Sequence, residues 1–218
     1  MKLCLNKAHF PVTVLGPGRR IGLWLQGCSI QCPGCMSRDT WQFDEHRAIS
    51  VEAIVEWCQR IAQDQIDGIT ISGGEPFDQP EGLSELLDRL DTWRQTLPAP
   101  LDLLAYSGYP MARLRQRHAG TLAKLDAVIS EPFVESQPTD GKWMGSANQR
   151  IVALSALGRE RYSGVGESSH AVSTPGVQLH VESGRVWLVG IPQRGELQHL
   201  EYRCRENGIS LKQASWRA

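Results

Sequence analysis

A chain of 218 residues can form one large domain or two small ones, and it is long enough to bury a sizeable core. With 41% hydrophobic and 22% charged residues and a formal charge of -1, the composition is that of a soluble globular protein without the field needed to grip a polyanion, which excludes nucleic acid as the main partner. No apolar run approaches the ~20 residues needed to cross a bilayer, and Met1 to Phe10 lacks the apolar core of a signal peptide, so the expectation is a cytoplasmic protein with no membrane partner.

Short β-rich runs alternate with amphipathic helices, the pattern of parallel β-α units. Arg20 to Gln26 reads as a strand leading straight into Gly27-Cys28-Ser29-Ile30-Gln31-Cys32-Pro33-Gly34-Cys35. Ser50 is placed to cap a helix whose apolar positions Val51, Ile54, Val55, Cys58 and Ile61 fall three and four apart, so Cys58 is read as core. Asp67-Gly68 turns into a strand, Ile69 to Ser72, that ends at Gly73-Gly74-Glu75-Pro76. Asp78 with Glu81 has the form of a capping box, opening a helix with Leu83, Leu86, Leu87, Leu90 and Trp93 inward, stopped by Pro98 and Pro100.

A third strand, Leu101 to Tyr106, ends at Ser107-Gly108-Tyr109, with Pro110 suited to the first turn of the next helix. Asp126 to Ser130 and Gln149 to Leu154 are the fourth and fifth strands, joined by an irregular connection from Pro132 to Asn148. From Arg159 to Thr174 the composition turns to Gly and Ser, as in a linker or surface loop. Val177 to Val181 and Arg185 to Val189 read as a hairpin, followed by a helix with Leu197, Leu200 and Cys204 on one face. The division expected is residues 1–158 as the main unit and 159–218 as a linker with a β-β-α extension packed on it.

Three of the six cysteines fall within the nine-residue stretch 27–35. Thiolates so close in sequence can converge on one soft metal centre, and Pro33-Gly34 supplies the tight turn between the last two. A closed zinc site takes four ligands, whereas a four-iron cluster held by three thiolates leaves one iron open to a substrate. Neither Cys4, Cys58 nor His46 stands at a ligand spacing that completes a set, yet a zinc site with a distant fourth ligand or a plain cysteine-rich turn remains an alternative on spacing alone. In parallel β/α barrels reactive groups gather at the carboxyl ends of the strands. The cysteine loop, Gly73-Gly74-Glu75 and Ser107-Gly108-Tyr109 all occupy that position. Adjacent glycines admit a close backbone approach, and the Glu75 carboxylate or nearby carbonyls can accept from an ammonium group.

The combination of Cys28-x3-Cys32-x2-Cys35 with a Gly-Gly-Glu strand end resembles the radical S-adenosylmethionine superfamily. Gly16-Pro17-Gly18-Arg19-Arg20, Leu23-Trp24-Leu25-Gln26-Gly27-Cys28, Thr40-Trp41, Tyr106-Ser107-Gly108-Tyr109 and Gly145-Ser146-Ala147-Asn148-Gln149-Arg150 are similar to the small activases of anaerobic ribonucleotide reductase, over roughly residues 10–155. The resemblance implies an open, partial parallel β/α barrel with a 4Fe-4S cluster on Cys28, Cys32 and Cys35, and S-adenosylmethionine chelating the fourth iron. It implies reductive cleavage of that cofactor to a 5'-deoxyadenosyl radical, which takes hydrogen from a glycine of a glycyl-radical enzyme, with a flavodoxin or ferredoxin as electron donor. By the same resemblance Gly73, Gly74, Glu75, Ser107, Asn148, Arg150 and Met36 fall on the cofactor side. Two departures stand out: Met36-Ser37 follows the third cysteine where the activases carry an aromatic residue and Asn, and Ser130-Glu131-Pro132-Phe133 replaces Asp-Gly-Pro-Phe. A radical enzyme acting on a small molecule or peptide, similar in size to the 7-carboxy-7-deazaguanine synthases, and a non-catalytic metal-binding module are the other readings the residues allow.

Overall fold

The computed structural model describes residues 1–62, 65–164, 176–182, 185–193, 195–211 and 214–215. It opens with a long strand, β1 (Lys2–Val12), paired antiparallel with β2 (Arg20–Leu25), the strand expected before the cysteine loop, and with the short β3 (Ala48–Ser50). Nothing in the local pattern marks β1, because Asn6, Lys7, His9 and Pro11 break its apolar rhythm; its place is set by the partners on either side.

In α1 (Val51–Ala62), Ser50 Oγ accepts from Ala53 N at 3.2 Å, as its capping position demands. The buried face is Val51, Ile54, Val55, Cys58 and Ala62. Ile61, expected inside, is 38% exposed, because the face continues from Cys58 through the position four residues on. β4 (Gly68–Gly73) runs parallel to β2, and α2 (Pro80–Arg94) buries Leu83, Leu86, Leu87, Leu90 and Trp93, all as their spacing predicts. The capping box expected of Asp78 and Glu81 does not form. A one-turn 3-10 helix, Pro76–Asp78, precedes α2, Gln79 stands at its cap without a side-chain bond, and the Asp78 carboxylate turns to the cysteine loop instead.

β5 (Asp102–Tyr106), α3 (Met111–Arg117), α4 (Ala119–Leu122) and β6 (Ala127–Ser130) continue the parallel series. β7 (Arg150–Ala153) pairs antiparallel with β6, so the β-α alternation predicted from the sequence ends there. α5 (Ala156–Tyr162), capped by Ser155, occupies the start of the stretch expected as a linker; residues 165–174 of that stretch lie outside the described residues. β8 (Val177–Glu182) and β9 (Arg185–Gly190) form the expected hairpin as a separate sheet, with turn residues 183–184 outside the description. In α6 (Glu196–Glu206) Leu197, Leu200 and Cys204 are half-buried.

The result is a mixed α/β fold with strand order β3-β1-β2-β4-β5-β6-β7, parallel from β2 to β6 and antiparallel at both edges. One sheet face, with Ile21, Leu23, Leu25, Ile69, Ile71, Leu103, Ala105 and Val128, forms a single core with α1 and α2, each fully buried aliphatic side chain contributing about 1.5–3 kcal/mol. On the opposite face Val189 of β9 packs with Val12, Val14, Leu15 and Trp24, and the Gln178 side chain bonds Thr13 N at 3.0 Å and Pro11 O at 2.7 Å. Among the described residues no helix is long and apolar enough to cross a membrane.

Candidate metal centre

β2 delivers the chain to the cysteines at the carboxyl edge of the parallel strands. Gly27 N donates to Thr40 O at 2.7 Å and Cys28 N to Trp41 O at 3.0 Å, closing the loop at its base. Cys35 N donates to Cys32 O at 3.1 Å across Pro33 and Gly34, and Gly34 has φ +76°, so the turn expected between these cysteines forms with its glycine in the left-handed region.

Each thiol meets backbone N–H donors. The backbone N–H groups of Gln31 and Ile30 act on Cys28 and that of Phe133 on Cys32, and Cys35 Sγ accepts from Ser37 N at 3.4 Å. Such donors favour a thiolate or a cluster-bound sulfur, and they oppose the burial that pushes the Cys28 and Cys32 thiols up. Cys28, Cys32, Cys35, Cys4, Cys58 and Cys204 are all free thiols. Among the described residues no group of three or more His, Cys, Asp or Glu side chains is placed to hold a single metal ion.

The Gly-Gly-Glu strand end locks onto the base of that loop. Gly74 N donates to Leu25 O at 2.8 Å and Glu75 N to Gly27 O at 2.9 Å. A Cβ on Gly74 would lie 2.0 Å from Gly27 O, and Gly73 takes φ +97° hard against the Leu25 backbone. What these two glycines admit here is the backbone of Trp24 and Leu25 at the end of β2 and of Gly27 beyond it. The Glu75 carboxylate, 1% exposed, accepts from Phe77 N at 3.0 Å, Ser107 Oγ at 2.8 Å and Gly108 N at 2.8 Å. Burial pushes its carboxyl up to about 7 against the pull of those three donors. Glu75 and Ser107 are thus brought together as a bolt between the ends of β4 and β5.

The connection from Glu131 to Gln149 crosses over the cysteine turn, since Phe133 and Glu135 stand beside Gly34 and Phe133 N reaches Cys32. Asn148 Nδ2 donates to Pro132 O at 2.8 Å, while its buried Oδ1 has no hydrogen-bond partner. Ser130 Oγ is a second such atom, on a residue with 0% exposure. Glu131 takes φ +82° and is held by its Oε1 accepting from Met111 N at 3.1 Å and its carbonyl accepting from Gln149 Nε2 at 3.2 Å. Arg150 is exposed, in register with Ser130, and its side chain makes no hydrogen bond or ion pair among the described residues. Met36 is half-buried beside Cys35. The sequence marks Tyr109, just past the end of β5, and Ser130, the last residue of β6, by position alone, and it assigns Asp78 to a helix cap and not to the cysteine loop.

A three-thiol loop at the carboxyl edge of a parallel sheet defines a class of iron-sulfur protein, and residues 14–152 match the family model of the 4Fe-4S single cluster domain. Similar proteins include the anaerobic ribonucleoside-triphosphate reductase-activating proteins of Vibrio cholerae (30% identical, covering 66% of this chain and 94% of the relative), of Enterobacteria phage T4 (29%, 63% and 86%) and of Escherichia coli K12 (26%, 66% and 94%). The chain belongs to this family of glycyl-radical-enzyme activases, radical S-adenosylmethionine enzymes that use a 4Fe-4S cluster.

Proposed function

We propose that Cys28, Cys32 and Cys35 hold the 4Fe-4S cluster and that the chain activates a glycyl-radical enzyme related to anaerobic ribonucleotide reductase by hydrogen abstraction from a glycine. The observation that supports this most directly is that the three cysteines share one loop, tied at its base to Thr40 and Trp41 and turned by Cys35 N donating to Cys32 O, beside the Gly73-Gly74-Glu75 backbone. When bound, the reduced cluster and S-adenosylmethionine supply one-electron cleavage of the sulfonium. The protein's own part is to hold, orient and exclude water.

Glu75 and Ser107 fix the floor of the site by joining two strand ends. Ser130 Oγ and Asn148 Oδ1, buried and unpaired, are suited to hydroxyl partners such as a ribose, and the exposed Arg150 guanidinium to a carboxylate. Met36, half-buried beside Cys35, would flank the adenine side. Residues 1–158 make up the catalytic unit, an open partial barrel, and residues 159–218 form an extension whose hairpin packs on the sheet face opposite α1 and α2. The electron donor is a flavodoxin or ferredoxin, and the compartment is the cytoplasm, where thiols stay reduced.

The test is anaerobic: reconstitute the full chain with iron and sulfide, add dithionite and S-adenosylmethionine, and quantify 5'-deoxyadenosine with and without an anaerobic ribonucleotide reductase. Product together with a glycyl radical signal that requires the partner supports the reading. A full cluster that yields no 5'-deoxyadenosine under any condition rejects it.

A further inference from the structure

We propose that Asp78 and Tyr109 are positioning residues for the cysteine loop, a role that rests on the reading of Cys28, Cys32 and Cys35 as cluster ligands. The Asp78 carboxylate accepts from Ser29 N at 2.7 Å and from Ser29 Oγ at 3.1 Å, and its Oδ1 also accepts from Tyr109 OH. Ser29 Oγ and Tyr109 OH are themselves 2.9 Å apart. The three side chains come from the segments that follow β2, β4 and β5, so one small cluster ties together all three strand ends that build the site.

Ser29 directly follows Cys28, and this gives the contact its consequence. The peptide before the Cys28 Cα is held by Cys28 N donating to Trp41 O at 3.0 Å, and the peptide after it by Ser29 N donating to Asp78. With both flanking peptides fixed, the only freedom left to the sulfur is rotation about one side-chain bond, and its backbone N–H donors at Ile30 and Gln31 restrict that rotation. A bond from an amide to a carboxylate is among the stronger kinds, since the acceptor is charged. Tyr109 is buried, and the Arg113 guanidinium lies 3.6 Å from its ring centroid, so the phenol that orients Asp78 is itself held. Asp78 has no competing duty at the start of α2, where no side-chain cap bond exists.

The experiment compares the full-length wild type with Asp78→Ala, Asp78→Asn and Tyr109→Phe. Amide hydrogen exchange over 27–36 is measured on the metal-free proteins, and the rate of cluster loss to EDTA and the electron paramagnetic signal of the reduced cluster after reconstitution. For Asp78→Ala we expect exchange in 27–36 and cluster loss each faster by about tenfold, with exchange in β2, β4 and β5 unchanged and an altered reduced-cluster signal. Asp78→Asn keeps an acceptor for Ser29 N and should fall within about threefold of wild type, with Tyr109→Phe between the two. The role is overturned if Asp78→Ala leaves the 27–36 segment unchanged, if it loosens the whole sheet equally, or if Asp78→Asn fares as badly as Asp78→Ala. A wild-type protein that takes up no cluster would overturn the ligand assignment itself, a result that reads separately from the exchange of the metal-free loop.

Discussion

The Arg20 guanidinium forks onto the Asp102 carboxylate, Nη1 to Oδ1 at 2.9 Å and Nη2 to Oδ2 at 2.8 Å, with both side chains 0% exposed. Thr70 Oγ1, Pro17 O and Ile69 O accept the remaining three Arg20 N–H groups at 2.7, 3.1 and 2.9 Å, and the space for the head group exists because Gly16 and Gly68 carry no Cβ. Asp102 also accepts from Arg161 Nη1 at 2.6 Å and Tyr162 OH at 2.5 Å. Those last two donors lie in α5, beyond the 14–152 region that the family model covers, so α5 completes a network that crosses β2, β4 and β5 at their starting ends.

Asp102→Ala strands a buried guanidinium without its counter-charge, and we expect it to destabilise the fold by about 3–5 kcal/mol. Burial opposes ionisation of Asp102, but the Arg20 bonds and charge, then Tyr162 and Arg161, hold it below the usual carboxylate range. Its contribution is therefore complete at neutral pH and is lost only as the solution becomes more acidic than that range. Chemical denaturation of the metal-free variant measures the loss, and a change under about 1 kcal/mol would mean water reaches the pair.

Gly74→Ala tests the seam between β4 and the cysteine loop. The new methyl would meet Gly27 O at 2.0 Å, a backbone atom that cannot rotate away. Either strand end must shift, at about 1–3 kcal/mol or more, and Cys28 shifts with Gly27. The expected outcome is a soluble protein with impaired cluster uptake. Normal iron content after reconstitution would show that the loop tolerates the displacement.

The sequence made the local features legible and left the tertiary ones hidden. The face of α2, and that of α1 except for Ile61 at its end, follow from spacing alone, because burial on one side of a helix is a local periodicity. The ends of β2, β4 and β5 were legible through Gly27, Gly73-Gly74 and Ser107-Gly108, since glycines mark where a strand must stop. β1 stayed hidden because its stability comes from β2 and β3, not from its own mixed residues. Asp78 was misread for the same reason: a capping box is judged over four residues, while its actual partners Ser29 and Tyr109 stand 49 and 31 residues away. The glycine pair marks a close backbone approach in the sequence, and the packing of β4 beside Leu25 and Gly27 adds a second reason for it that spacing alone does not show.

The cysteines divide sharply by environment. Cys58 is 0% exposed in the core, and burial pushes its thiol up to about 12, so it carries no thiolate near neutrality. Cys58→Ala should cost about 1–3 kcal/mol in packing and leave cluster content untouched. Alanine at Cys28, Cys32 or Cys35 should abolish cluster assembly and cofactor cleavage while the metal-free fold persists. Iron analysis with visible absorption separates the two sets, and a cluster-free Cys58→Ala protein would place that thiol in the site after all.

Glu75 gives the fold an unusual pH dependence. Folding raises its carboxyl to about 7, chiefly through burial and despite the N–H and O–H donors around it. Between the ordinary glutamate range and about 7 the folded protein therefore holds one more proton than the unfolded chain, so stability falls as pH rises through that window and levels off above it. The full effect of a shift this size is roughly 3 kcal/mol as an upper bound. Glu75→Gln removes the titration while its carbonyl can still accept from Phe77 N and Ser107 Oγ, although the amide then faces Gly108 N without bonding it. Urea unfolding of the metal-free proteins at a series of pH values should show a downward slope for wild type and a flat line for the variant. Parallel slopes would mean that the three donors, not burial, govern the carboxylate, leaving it ionised throughout and available as a fixed negative charge beneath the cysteine loop.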